Sequence, residues 1–236
     1  MSISLRRQFV RTFATSLSSS MMRLCVCSVV LAGIAHGQAE VQTKLGKQLD
    51  RLDLAVSGAG YFNTTTTGTN YLNQTVTDVP GNTLGALVQI RYIAKPWIGL
   101  EFNYGYARYT QKYTGSGGAA SNTDFNFGLQ ANTSEYSLGY VAHPPIAIFG
   151  LKPFIGGGAG TMAYKPTTYG GQGRQEQARA LYYYDVGLDD MISEHIGLRA
   201  QFRGSNSLAP DFGQNYLTIL KRTWITEPAV GVFIKF

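Results

Sequence analysis

The chain has 236 residues, is rich in glycine (28) and tyrosine (15), and carries a formal net charge of +6. Four of its 20 basic residues (Arg6, Arg7, Arg11, Arg23) fall in the first 37 residues and none of its 14 acidic ones does, so the rest carries only +2, and its basicity is no argument for nucleic acid. Both cysteines, Cys25 and Cys27, lie there too, which excludes disulfide and thiol chemistry downstream.

Residues 1–37 read as a signal peptide. Leu24 to Ala35 is an apolar run behind Arg23, and Ala35-His36-Gly37 offers small residues where a signal peptidase reads, so the cut is expected before Gln38. The run is about half the ~20 residues of a spanning helix. Met21 and Met22 are alternative starts. Arg6-Arg7-Gln8-Phe9-Val10-Arg11 resembles a twin-arginine signal, but that route exports folded proteins, and the strand-built body below must cross the inner membrane unfolded. Residues 38–50 are expected to be a short N-terminal segment ahead of the strands, periplasmic if those strands cross an outer membrane. No later apolar stretch approaches 18 residues, so no spanning helix is expected.

From residue 51 onward eight segments alternate in polarity with the period of a strand, successive side chains pointing to opposite faces. The first, 52–62, sets Leu52, Leu54, Val56 and Phe62 against Asp53, Ser57 and Tyr61. The second, 83–93, sets Leu84, Ala86, Val88, Ile90 and Tyr92 against Gly85, Gln89 and Arg91. A tight turn at 94–97 leads to the third, 98–109, with Ile98, Leu100, Phe102, Tyr104 and Tyr106 against Glu101 and Asn103. The fourth, 133–142, sets Tyr136, Leu138 and Tyr140 against Glu135 and Ser137, and His143-Pro144-Pro145 breaks it because proline cannot donate to a ladder. The fifth, 153–164, holds Gly156-Gly157-Gly158-Ala159-Gly160 and hides its register. The sixth, 179–189, sets Tyr182, Tyr184, Val186 and Leu188 against Asp185, Gly187 and Asp189. The seventh, 195–203, sets Ile196, Leu198, Ala200 and Phe202 against Arg199, Gln201 and Arg203. The eighth, 224–236, places Val230, Val232, Ile234 and Phe236 on one face, opposite Glu227, Gly231, Phe233 and Lys235.

Connections alternate between short or moderate (94–97, 143–152, 190–194) and long and polar (63–82, 110–132, 165–178, 204–222). Short turns at one end, long loops at the other and strands of bilayer-crossing length are the pattern of a transmembrane barrel. The fold class expected for residues 51–236 is all-β, an eight-stranded antiparallel up-and-down transmembrane β-barrel.

These segments, with the signal peptide and the terminal phenylalanine, resemble the small eight-stranded outer-membrane barrel family, of which the OmpA transmembrane domain is the familiar member. The resemblance covers about residues 50–236. It implies residence in the bacterial outer membrane, with periplasmic chaperones and the barrel assembly machinery as partners in biogenesis. In that family the machinery reads the last strand, here Val230, Val232, Ile234 and Phe236. The carboxyl end is then periplasmic and the four long loops lie outside, available for surface interaction.

In such a barrel the apolar faces meet lipid and the charged faces turn inward, because Arg or Lys at mid-bilayer costs roughly 2–4 kcal/mol. Arg91, Glu101, Glu135, Asp185, Asp189, Arg199, Arg203 and Glu227 all fall on the inner side. Arg91 and Glu101 are nearly equidistant from the turn at 94–97 and should face each other. Arg199 and Arg203 lie between Asp185 and Asp189 on one neighbour and Glu227 on the other. A sign-balanced lumenal ion-pair network is expected, filling a barrel too narrow for a pore. Tyr61, Tyr92, Trp97, Tyr104, Tyr106, Phe154, Tyr182, Trp224 and Phe236 read as interface girdles.

The glycine run at 156–160 has neither a third glycine nor a Gly-Lys-Ser/Thr at the set spacing of a phosphate cradle, followed by a helix, and reads as a curved strand. His143 and His195 sit at turns without a second ligand at metal spacing. The carboxylates lie beside arginines, which favours ion pairing over acid–base work, so no catalytic residue, cofactor or metal is expected. Lys112, Arg174, Arg179, Lys221 and Arg222 lie in or near the long loops, as solvated charge or as contacts to lipopolysaccharide phosphates. The function expected is a non-enzymatic barrel contributing to envelope structure, amid outer-membrane lipid and lipopolysaccharide. The alternatives are a small-solute pore, an adhesin, and a soluble lipocalin-like barrel, against which the inward charges speak.

Overall fold

A computed structural model describes residues 44–116 and 124–236. The signal peptide and residues 38–43 lie outside the described residues. A short helix α1 (Lys44–Leu49) precedes ten strands: β1 (Leu52–Asn63), β2 (Thr66–Thr69), β3 (Thr75–Pro80), β4 (Thr83–Lys95), β5 (Ile98–Ser116), β6 (Phe125–Ala142), β7 (Lys152–Pro166), β8 (Gln177–Met191), β9 (Ile196–Leu208) and β10 (Arg222–Lys235).

Eight of these close into a barrel. β1, β4, β5, β6, β7, β8, β9 and β10 each pair antiparallel with their chain neighbours, and β1 pairs with β10 to shut the ring. Closure leaves no open edge among the eight, as a strand protein needs in lipid. β2 and β3 form a hairpin above the wall. β3 continues the line of β4 and pairs with the far end of β5, from Thr75 opposite Ser116 to Pro80 opposite Gln111.

Several expected loops are in fact strand. β5 runs to Ser116 and β6 begins at Phe125, and β7 and β9 also run beyond their expected ends. The cause is local: stretches such as Gln111-Lys112-Tyr113-Thr114 still alternate, but with polar residues outward, because there the outer face meets water. The extended β5–β6 ladder pairs residues from Ile98–Ala142 up to Gly115–Phe125.

The register of β7 is now legible. Gly139 faces Gly158 and Ser137 faces Gly160, and a Cβ on Gly158 would come within 2.2 Å of the Leu138 carbonyl and one on Gly160 within 2.1 Å of the Tyr136 carbonyl. These glycines are where strand meets strand most closely.

One wall seam is interrupted. The β1–β10 ladder holds from Asp53–Lys235 to Ala59–Ala229 and resumes at Phe62–Thr226, skipping Gly60 and Tyr61. Pro228 sits opposite this gap and has no N–H to give. Its other side pairs regularly with Phe202 on β9.

The outer face carries the apolar rows: Val56, Leu84, Ile90, Leu100, Phe102, Leu138, Tyr140, Ile155, Val186, Leu198, Phe202, Val230 and Val232 are all exposed. The inner face is buried.

Candidate functional site: the closed lumen

The lumen has two halves. Toward the short turns it is ionic. Strand alternation on β4, β6, β8, β9 and β10 turns Arg91, Glu135, Asp185, Asp189, Arg199, Arg203 and Glu227 inward, and Glu101 joins them from β5. Arg91 and Glu101 are direct cross-strand partners and hydrogen-bond through Nε. Arg91 also lies 3.5 Å from Asp185 and 3.7 Å from Asp189. Arg199 donates to Asp189 at 2.8 Å and 3.0 Å. Arg203 reaches across the lumen to Glu135 (Nη1 to Oε2, 2.8 Å) and sideways to Glu227 at 3.1 Å. All eight residues expected in the network are brought together.

Two features of this network differ from the sequence expectation. Asp53, from β1, is a further member, 3.3 Å from Arg199. Its inward position was readable from the alternation, but its partner lies 146 residues away and was not. The network is also not sign-balanced: six carboxyls face three guanidiniums, each arginine being held between at least two acids. The acids outnumber the bases because five of the six cross-strand partners of the three arginines are Asp or Glu (Asp53, Glu101, Asp185, Asp189 and Glu227), and the sixth is Gly231.

Aromatic rings complete the cluster, and they correct two assignments. Phe154 and Tyr61 are not girdle residues; both point into the barrel, 3% and 2% exposed. Phe154 falls on the inner face because it shares it with Met162 and Tyr164, a parity that the glycine run concealed. Its ring lies 4.0 Å from the guanidinium carbon of Arg91 and 5.5 Å from that of Arg199. Phe233 covers Arg199 at 4.8 Å and Tyr183 covers Arg203 at 4.2 Å. A guanidinium stripped of water is stabilised on a ring face. Trp97, Tyr106, Tyr182, Trp224 and Phe236 are exposed, as girdle residues should be.

Toward the long loops the lumen is apolar. Leu87, Tyr109, Tyr113, Leu129, Met162, Tyr164 and Leu181 line it, and Val76 of the β2–β3 hairpin packs in from above. The loop between β9 and β10 folds down over it. Phe212, Leu217 and Ile219 are buried there, and Phe212 meets Tyr113 and Tyr164 edge-on at 6.5 and 6.3 Å. Asp211 ties the loop down. It accepts from Gln177 at 2.6 Å and Thr218 at 2.9 Å and pairs with Arg179 at 2.7 Å. Burial pushes the Asp211 carboxyl up, but these hydrogen bonds, that from the Gly213 N–H and the Arg179 charge outweigh it and hold it below its ordinary value. The Tyr113 hydroxyl donates to the Pro210 carbonyl at 2.9 Å, and Asn70 of the hairpin donates to the Tyr216 carbonyl at 2.8 Å. Phe212, Leu217 and Ile219 were visible as apolar residues in a polar loop, which was the available signal.

Of the five loop cations, two are occupied by the loops themselves. Arg179 holds Asp211, and Arg174 donates to the Tyr216 hydroxyl at 2.8 Å. Arg222 is exposed, bonds Asn206 at 2.9 Å and stacks over Tyr182. Lys112 and Lys221 are exposed. The terminal residues Val230, Val232 and Phe236 are 65%, 50% and 51% exposed, and Ile234 is half-buried. His195 is exposed in its turn. His143 is half-buried, and burial together with the charge of Arg91 lowers its imidazole to about 4. Among the described residues no group of acids, histidines or cysteines has metal-binding geometry.

Solved structures share this architecture. The outer membrane protein OprG from Pseudomonas aeruginosa superposes with a TM-score of 0.53 at 12% identity, over 78% of this chain and 95% of that one. Neisserial surface protein A gives 0.49 at 11% identity, over 78% and 97%. The N-terminal β-barrel domain of Pseudomonas aeruginosa OprF gives 0.40 at 16%, over 78% and 97%. No protein-family profile matches the chain, and no curated protein does. The fold is that of the small eight-stranded outer-membrane barrels. With its apolar outer belt and charged interior, the barrel is built as a membrane-spanning one.

Proposed function

We propose that the protein is a non-enzymatic structural barrel of the outer membrane, closed to solutes, that displays its long loops at the cell surface. The observation that carries this reading is the double closure of the lumen. Arg91, Arg199 and Arg203 are completely buried among acids and rings, and Phe212 with Leu217 seals the other end. A solute path would require breaking ion pairs whose loss leaves uncompensated buried charge, at about 3–5 kcal/mol each. The small-solute pore is therefore the weaker reading. Outer-membrane fractionation with a heat-modifiable gel shift tests placement and the folded barrel together, and recovery in the soluble fraction would overturn it.

The proposed orientation puts α1, the short turns and Phe236 in the periplasm. Val230, Val232, Ile234 and Phe236 then present an outward apolar row to the assembly machinery and chaperones. At the far end, exposed Lys112, Lys221 and Arg222 suit lipopolysaccharide phosphates. Replacing all three by Ser and finding unchanged lipopolysaccharide co-purification would remove that contact.

A second reading, surface adhesion, is favoured by one observation. Tyr71 and Tyr169, near two loop tips, are 67% and 101% exposed. Exposed tyrosines are common anchors in binding surfaces. Deleting residues 70–74 and 168–173 should abolish cell binding if adhesion is the task.

A further inference from the structure

The turn between β6 and β7 is out of character for a short turn in water. Pro144, Pro145, Ile146, Ala147, Ile148, Phe149 and Gly150 are all exposed, and none has a polar side chain. Phe149 is fully exposed and Ile146 is 58% exposed. Ile148 and Leu151 exchange two 3.0 Å backbone hydrogen bonds, which closes a two-residue turn at Phe149 (φ 53°) and Gly150 (φ 86°). Asn, Asp or Gly normally takes the first position of such a turn. A bulky residue there is strained, and nothing in the barrel touches this one to hold it.

The neighbouring turn belongs to the same surface. The His143 N–H donates to the Trp97 carbonyl at 2.9 Å. Trp97 is 54% exposed, with the Lys95 ammonium 5.8 Å from its ring. Lys152, also exposed, flanks the other side of the 143–151 turn. The result is an apolar, aromatic patch between two cations. It is continuous with the lipid-facing belt, because Tyr140 and Ile155, just inside the turn, are outward and exposed.

We infer that the 143–151 turn and Trp97 form a lipid anchor that sits in the headgroup region at the short-turn end and takes anionic phospholipid, with Lys95 and Lys152 on its phosphates. This rests on the membrane-barrel reading above. Aromatic rings favour the headgroup level, lysine serves phosphate as a point charge, and basic residues beside a membrane segment attract anionic lipid. The anchor supplies the apolar surroundings that the strained Phe149 lacks in water. A protein partner is the alternative, but the continuity with the belt and the paired lysines favour lipid.

The test uses the full barrel with Trp97→Phe and Trp224→Phe, so that one introduced tryptophan reports. Phe149→Trp is reconstituted in vesicles of phosphatidylglycerol or of phosphatidylcholine, each brominated near the headgroup. Blue-shifted emission is expected, with quenching severalfold stronger in phosphatidylglycerol. Adding Lys95→Ser and Lys152→Ser should remove that difference. Ile146→Trp, at a position without positive φ, repeats the measurement without disturbing the turn. Leu138→Trp in mid-belt is the control for the barrel itself. If Leu138→Trp is quenched by lipid while Phe149→Trp and Ile146→Trp emit as in water, the barrel reading stands and the anchor is wrong. Equal quenching in both lipids overturns the anionic preference. If Leu138→Trp also escapes lipid, the membrane reading fails and the anchor with it.

Discussion

Phe154 lies face to guanidinium with Arg91, 4.0 Å from ring centroid to Cζ, inside the barrel. The same ring is 5.5 Å from Arg199, so one side chain links two ion-pair groups that otherwise share only Asp189. Phe154→Leu keeps most of the volume and removes the ring. It should destabilise the barrel by about 2 kcal/mol, the worth of a desolvated cation–π contact. Urea unfolding in detergent, followed by the gel shift, measures it. An unchanged midpoint would mean the stacking is incidental.

Arginines and acids should not be equivalent in this network. With six carboxyls around three guanidiniums, losing Arg91 or Arg203 strands two acids at once. Arg203→Met leaves Glu135 and Glu227 without their shared partner and should cost about 3–5 kcal/mol. Glu227→Gln leaves Arg203 still bound to Glu135 and keeps an acceptor for Ser205, so it should cost less than about 1 kcal/mol. Equal losses in the two variants, read in the same unfolding assay, would contradict the shared-partner geometry.

Asp78, on β3 outside the membrane-spanning wall, is fully buried in the apolar cap, and neither carboxyl oxygen has a hydrogen-bond partner. Burial pushes its pKa up to about 8. Its charge acts on Tyr109, Tyr113 and Tyr164, while Arg179 is committed to Asp211. The closed cap therefore holds this proton more tightly than an open one, in which Asp78 returns to about 3.9. Closure is strongest below about pH 4, weakens as pH rises toward 8, and is level above that. The open fraction should grow by up to about tenfold per pH unit in between. Maleimide labelling of Leu217→Cys, relative to exposed Tyr169→Cys, reads it once Cys25 and Cys27 are Ser. Asp78→Asn should flatten the profile; a slope that survives it would assign the titration elsewhere.

Pro228 interrupts the seam between the first and last strands. Pro228→Val restores an N–H opposite Gly60, and its side chain points to lipid, where valine is welcome. The unfolding free energy should rise by about 0.5–1.5 kcal/mol, the net worth of one hydrogen bond. A fall would show that the gap is imposed by Tyr61 and its surroundings and not by proline.

The wall was legible from sequence because lipid and lumen impose opposite demands on alternate residues. Leu138 outside and Glu135 inside follow from parity alone, and the Arg91–Glu101 pair follows from counting residues from a turn. Parity fails where side chains vanish, so the glycine run hid the inward face of β7 and with it Phe154. Counting from a turn fails across the lumen, so Asp53 with Arg199 and Arg203 with Glu135 needed the closed ring. The long loops misled for another reason. Above the membrane both faces of a strand can be polar, and β5 continues through Lys112 and Thr114 without an apolar row to mark it. The cap is formed by a loop whose buried Phe212 and Leu217 have no periodicity, only contacts with distant strands.

The lumen is closed at both ends, by the ion pairs of Arg91, Arg199 and Arg203 and by Phe212 with Leu217. Single-channel recording of purified, folded barrel in planar bilayers at neutral pH tests that closure directly. A closed lumen predicts a baseline without discrete steps, and steps in Arg203→Met carrying a Phe212→Gly cap substitution. Stable, reproducible single-channel steps in the unaltered protein would contradict it.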